Sequence, residues 1–205
     1  IKNKPVAQKK HQQQKYKAVK DSNNTVYTLL AVAVIIALTV AIYSPSLKYE
    51  LTNWDDNMYV TENPYIKNID SGNLKAMFSD YYMGNYHPLT MLSFAINYQF
   101  SEYEADSYRF TNILFHTLNS LLVFWFVYLM VVFIDNRRRA DGKNSFLPVT
   151  RKKIYALFMA FVAAVFFAVH TIHLESVVWV AERKDVLYTF FFLGSLIAYI
   201  FYIKK

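Results

Sequence analysis

Four apolar stretches constrain this 205-residue chain more than any other feature. A membrane-spanning helix needs about 20 mostly apolar residues. The first stretch, residues 26–43, carries no charge. The second, 109–134, is polar at its start and purely apolar later. The third, 154–169, is slightly short, and the fourth is 186–203. With 55% hydrophobic and 18% aromatic residues, a disordered chain is excluded, and the segmentation is not that of a soluble domain. The predicted fold class is an all-α integral membrane protein: four transmembrane helices with interfacial helices in a long first outer loop. The first stretch is read as a retained helix, because Ile42-Tyr43-Ser44-Pro45 is a poor match to a small-residue cleavage site.

Charge predicts the topology. Residues 1–25, 135–153 and the end of the chain hold 16 of the 22 basic residues but only 3 of the 15 acids. The remainder holds 6 basic residues and 12 acids, so a net charge of +7 divides into +13 and −6. By the positive-inside trend, the basic tail at 1–25 and the basic loop at 135–153 are cytosolic. The loops at 44–108 and 170–185 face outward. The basic excess then explains orientation and contact with anionic lipid, not nucleic-acid binding. The chain has no cysteine, which excludes disulfides and thiolate metal sites. The tail around Lys9-Lys10-His11 is read as disordered chain.

The outer loop of about 65 residues must carry its own structure. Residues 44–64 read as irregular chain. Asn73 to Ser79 reads as a short amphipathic helix with Leu74, Met77 and Phe78 on one side. Pro88 suits a helix first turn, and the apolar run that follows is too short to span, so it is predicted to lie in the interface. Asp106 or Ser107 is the expected N-cap of the second span. Within that span, Asn112, His116 and Asn119 share one face. Such groups turn toward other helices or a wet cavity, as interhelical hydrogen bonds or as cavity lining.

Two polar clusters invite chemistry. Asp55 and Asp56 follow Trp54, about a dozen residues after the first span. An acidic pair just outside a bilayer can hold a proton, a metal or a sugar; the plain alternative is a solvated loop. The second cluster runs from His170 and His173 through Glu175 and Trp179 to Glu182-Arg183-Lys184-Asp185. His170, His173 and Glu175 lack the spacing of the zinc-protease signature and are weak as a metal site. Arg183 and Lys184 run against the positive-inside trend. They either bind a lipid phosphate or pair with Glu182 and Asp185.

Together these phrases resemble a known family. Asn53-Trp54-Asp55-Asp56-Asn57-Met58-Tyr59-Val60 precedes Asn63-Pro64. His87-Pro88-Leu89-Thr90 follows, then Asn112-Ile113-Leu114-Phe115-His116 with Asn119, then Val169-His170 with Glu175-Ser176-Val177-Val178-Trp179. The order resembles the N-terminal membrane region of the transmembrane and tetratricopeptide-repeat O-mannosyltransferase-like family, which are type-C glycosyltransferases. It covers roughly residues 26–203. The resemblance implies a partial type-C glycosyltransferase fold and transfer of a mannose-like sugar from a polyprenyl-phosphate donor to an acceptor hydroxyl on a protein or glycan. It implies Asp55 or Asp56 as general base, or as the ligand of a divalent metal. Arg183, Lys184, His170 and His173 would bind the donor phosphate, and Trp54, His87, Asn112, His116, Asn119 and Glu175 would line the cavity. The expected location is a plasma or inner membrane, or the endoplasmic reticulum of a eukaryote, with the active face outward.

The chain departs from the family in two places. His170 is followed by Thr171 where the family usually has proline, and four helices are fewer than the family's many, with no tetratricopeptide repeats. The expectation is therefore part of a longer enzyme, or a non-catalytic membrane subunit that docks partner proteins. A transporter using the polar face of the second helix is a third reading. Mutation of the acidic pair separates transfer chemistry from both alternatives.

Overall fold

The computed structural model describes residues 6–148 and 151–204, with side chains from Asn24 onward. The first five residues of the basic tail, residues 149–150 of the basic loop and Lys205 lie outside the described residues. The chain is 79% helical and no strand occurs among the described residues. Seven α-helices follow in order: α1 Val6–Tyr43, α2 Ser71–Ser79, α3 Pro88–Ser101, α4 Ala105–Ala140, α5 Lys152–Val169, α6 Leu174–Val178 and α7 Arg183–Ile203. Four segments are long and apolar enough to cross a membrane: Asn24–Lys48, Ala105–Ala140, Lys152–Val169 and Val180–Ile203.

Helix α4 is the mast of the bundle, with α1, α5 and α7 packed around it. Its 36 residues make a rod about 54 Å long. Against it α5 presents alanine at every fourth position: Ala156, Ala160, Ala164 and Ala168 are fully buried. Small residues let two backbones approach closely, which is how helices associate where no hydrophobic drive exists between them. The same logic inverts the ordinary inside–outside rule. Leu29, Val34, Phe158, Phe166 and Tyr188 stay exposed, while Arg109, Asn112, His116, Asn119 and Arg183 are buried. An apolar surface over a polar interior is the distribution that lipid demands.

The segment between α1 and α4 folds on its own small core. Tyr59, Val60, Ile66, Met77, Met91 and Phe94 gather with Tyr108, Val180 and Ala181. This corrects the expectation of irregular chain at 44–64. A 3-10 turn covers Ser44–Lys48, and a wide π-type turn covers Asn57–Thr61. Both are held by local bonds, such as Asn63 Nδ2 donating to the Tyr59 carbonyl at 3.0 Å. The α2 helix starts earlier than read, at Ser71, because Asp70 caps it by accepting from the Asn73 amide at 2.8 Å. Its Phe78 is exposed, and only Met77 is fully buried. Helix α4 starts before both expected caps, with Glu104 at the cap position and no side-chain bond there. The tail read as disordered continues as helix from Val6.

Candidate functional site

The acidic pair divides into two different environments. Asp56 is fully buried and each of its oxygens is engaged. One accepts from the Thr52 amide at 2.9 Å and the Thr52 hydroxyl at 2.8 Å. The other accepts from the Ala181 amide at 2.8 Å. Asp56 therefore fastens the first loop to the chain entering α7 across 125 residues of sequence. Asp55 is half-buried and has no hydrogen-bond or ion-pair partner among the described residues. Of the two, Asp55 is the carboxylate left free to act on something else.

Arg183 corrects a second expectation. It is 0% exposed. Its Nε donates to Asn112 Oδ1 at 2.8 Å, Nη1 to Asn97 Oδ1 at 2.6 Å and to Ser93 Oγ at 3.2 Å, and Nη2 to the Tyr108 carbonyl at 2.8 Å. The Phe94 ring lies 4.4 Å from the guanidinium carbon and the Tyr108 ring 5.5 Å. With four donors committed and no solvent path, Arg183 joins α3, α4 and α7 and does not reach a lipid phosphate.

The polar face of α4 is spent the same way. Asn112 also donates to the Trp179 carbonyl at 3.2 Å, Asn119 to the Val186 carbonyl at 2.8 Å, and His116 Nε2 meets the Ala168 carbonyl at 3.1 Å. Interhelical bonding and cavity lining were the two readings of these three; each makes an interhelical tie, while Asn119 Oδ1 is left without a partner among the described residues. Arg109, one turn earlier, was missed in the sequence. It is buried and donates to the carbonyls of Tyr49, Glu50 and Val178, so it closes the first loop onto the bundle. Its position at the apolar boundary, three residues before Asn112, was the available signal.

His170 caps the turn Thr171–His173 by accepting from the Ile172 amide at 3.1 Å. His173 stacks against Phe167 and His116, with centroids 4.4 and 5.3 Å away. Burial, then the neighbouring His170, holds its pKa below the ordinary histidine value. Both histidines thus do structural work, and Glu175 is exposed. Among the described residues, no group of three or more His, Asp or Glu is gathered to hold a metal.

An open cleft of about 580 Å³ lies between the start of α3 and the start of α7. His87, Pro88 and Thr90 form one wall; Lys184, Asp185 and Tyr188 form the other, with Leu187 and Phe191 continuing down α7. Neither ring nitrogen of His87 has a hydrogen-bond partner among the described residues. Burial, aided by the Lys184 charge, keeps its imidazole pKa below the ordinary value. Among the described residues Lys184 is paired only with Glu182, at 2.7 Å, and both side chains are partly exposed. Such a pair is worth about 0–1 kcal/mol and yields readily to a stronger anion. Asp185 accepts from the Ser176 hydroxyl at 2.9 Å. Tyr59, on the turn that follows Asp55, stacks on His87 with centroids 5.5 Å apart. Trp54, 76% exposed, leans on Trp179 at 6.0 Å. The free carboxylate, the unpartnered imidazole and the exchangeable ammonium thus all stand on segments locked to each other by Asp56 and Tyr59.

No protein-family model matches the chain, and no solved structure matches it significantly. Curated proteins do. The chain is 28% identical over 181 residues to the human protein O-mannosyl-transferase TMTC3, covering 83% of this chain and 17% of that protein. It is 31% identical over 116 residues to Drosophila melanogaster Tmtc3, covering 56% of this chain and 12% of that one. Human TMTC4 is 33% identical over 116 residues, with 56% and 14% covered. The chain spans 12–17% of the length of these three relatives. By sequence it is related to the TMTC protein O-mannosyl-transferases, the family that its motifs resemble.

Proposed function

We propose that this chain forms part of a membrane glycosyltransferase. It moves a mannose-like sugar from a polyprenyl-phosphate donor to a hydroxyl of an acceptor protein, on the outer membrane face, in the endoplasmic reticulum if the source is eukaryotic. The observation that carries this is the split of the acidic pair. A carboxylate with no partner among the described residues stands beside a turn that Tyr59 packs against His87 in the cleft wall and that Asp56 ties to Ala181 at the entry to α7.

In this reading Asp55 takes the proton of the acceptor hydroxyl as its oxygen attacks the anomeric carbon. A base in that role contributes about 10²–10⁴-fold. The bond from that carbon to the donor phosphate breaks, and the phosphate leaves with the electron pair. Lys184 meets the charge that develops there, and His87 donates or accepts a hydrogen bond at the same group. The aromatic and aliphatic side chains of α7 below Lys184 suit the prenyl chain. Arg183 contributes at one remove. Its guanidinium is buried with no carboxylate partner among the described residues, so it leaves positive potential beside the cleft.

Transfer from mannosyl-phosphoryl-polyprenol, measured in membranes carrying the full-length protein, tests the reading. Lys184→Ala is expected to raise the donor KM about tenfold with a smaller change in kcat. Absence of donor-dependent transfer by the unaltered protein would sink it and favour a subunit that docks partners.

A further inference from the structure

A second feature sits at the opposite, basic end of the bundle. Two cavities adjoin there and share Leu157. The first, about 290 Å³, is a groove between α1 and α5 with almost wholly apolar walls, among them Leu30, Val34, Ile154 and Phe158. Farther along the two helices, Ile35, Ala160 and Ala164 share one buried cluster. Toward the basic end, Leu30 and Phe158 are 57% and 63% exposed and stand as the groove's rims. The second cavity, about 330 Å³, is its mouth, lined by Asn24, Thr25, Thr28, Trp125, Tyr128 and Lys153.

We propose that this groove and mouth form a site for an anionic membrane phospholipid, with an acyl chain along Leu30 and Phe158 and the headgroup phosphate at Lys153. Three observations commit the site to that occupant. The groove walls offer nothing to a polar ligand, and an acyl chain restores the dispersion contacts that an empty groove forfeits. The mouth adds amide and hydroxyl groups to a cation, which is a phosphate's partner set. Trp125 and Tyr128, stacked at 5.7 Å, mark headgroup depth, where amphipathic rings settle. The surrounding end is basic, with Arg137, Arg138 and Arg151 exposed, so an anionic headgroup is favoured over a zwitterionic one. The site is remote in sequence from Asp55 and Lys184, and it holds whether or not the chain transfers a sugar.

The test uses Trp125 as the reporter. The full chain is reconstituted in phosphatidylcholine vesicles doped with a low fraction of dibrominated phosphatidylglycerol or dibrominated phosphatidylcholine. The Trp125 signal is the fluorescence difference between the chain and its Trp125→Phe variant. The anionic lipid is expected to quench it at least about threefold more effectively than the zwitterionic one. Lys153→Glu is expected to abolish that preference, and Ala31→Phe, which fills the groove, to reduce quenching by both lipids. Circular dichroism confirms that each variant keeps its helix content. Equal quenching of the unaltered chain by the two lipids overturns the proposal, as does a preference that survives Lys153→Glu.

Discussion

The two ends of the bundle each bury an ionised side chain, and they neutralise it differently. At the basic end Asp135 is fully buried between Arg139 at 2.9 Å and Lys152 at 2.6 Å, and it accepts from Ser145 at 2.6 Å. Arg139 also reaches the Leu147 carbonyl, so the basic loop is clipped back onto α4. Charge is matched there, and the cations remain partly exposed. At the other end Arg183 meets, among the described residues, only neutral acceptors and two aromatic faces. A carboxylate partner would cancel its field; amides satisfy its donors and leave the field intact. The first arrangement makes a clip, and the second makes a clip that also favours an anion nearby.

Substitutions at the two ends should separate these designs. Arg183→Met is expected to be the most damaging. It strands Asn97 and Asn112 without their donor, and each buried acceptor left unsatisfied costs about 1–3 kcal/mol. Thermal unfolding in detergent should show a large fall, and Arg183→Lys should restore only part of it, since an ammonium cannot span three helices. A wild-type melting point for Arg183→Met would break the comparison. Asp135→Asn should cost less, about 1–3 kcal/mol, because Arg139 and Lys152 can turn to water. It should loosen the basic loop, read as faster amide exchange at 143–148, with no change at 85–90. Asp56→Ala belongs with the outer end. Freeing the amides of Thr52 and Ala181 is expected to cost about 1–3 kcal/mol and to expose the indole nitrogen end of Trp179, now buried, to aqueous quenchers. Unchanged quenching would show that the loop does not hang from this carboxylate.

Acid should act only on the end that holds Arg183, and by the smallest amount. His87 and His173 both have pKa values lowered by burial. The fold therefore favours their neutral forms. That contribution is fully present above the unfolded value of about 6.5 and is lost as pH falls through the lower folded values. Amide exchange at 85–90 and 170–175 should accelerate between pH 7.5 and 5.5, while 135–148 stays unchanged. Uniform acceleration along the chain would remove the distinction.

The architecture was legible because lipid enforces it. Long apolar runs need no tertiary information, and the four stretches read as spans fall within the four helices long and apolar enough to cross a membrane. The cleft was only partly legible. His87 and Lys184 were named, but so were Arg183, Asn112, His116 and Asn119, which prove to be interhelical ties. Sequence gives the periodicity of a polar face and not what it faces. A polar side chain that satisfies a neighbouring helix and one that lines a cavity share the same spacing. The division of labour between Asp55 and Asp56 was illegible for the same reason. It is made by the Ala181 amide, which is adjacent only after folding.

The most direct test compares Asp55→Asn and Asp56→Asn in the full-length protein, with sugar transfer and melting temperature measured on the same membranes. Asp55→Asn is expected to lose transfer by about 100-fold or more while its melting temperature stays put. Asp56→Asn should lower the melting temperature, with transfer falling only as folded protein is lost. Full transfer by Asp55→Asn would contradict the account, as would an Asp56→Asn protein that melts normally but no longer transfers.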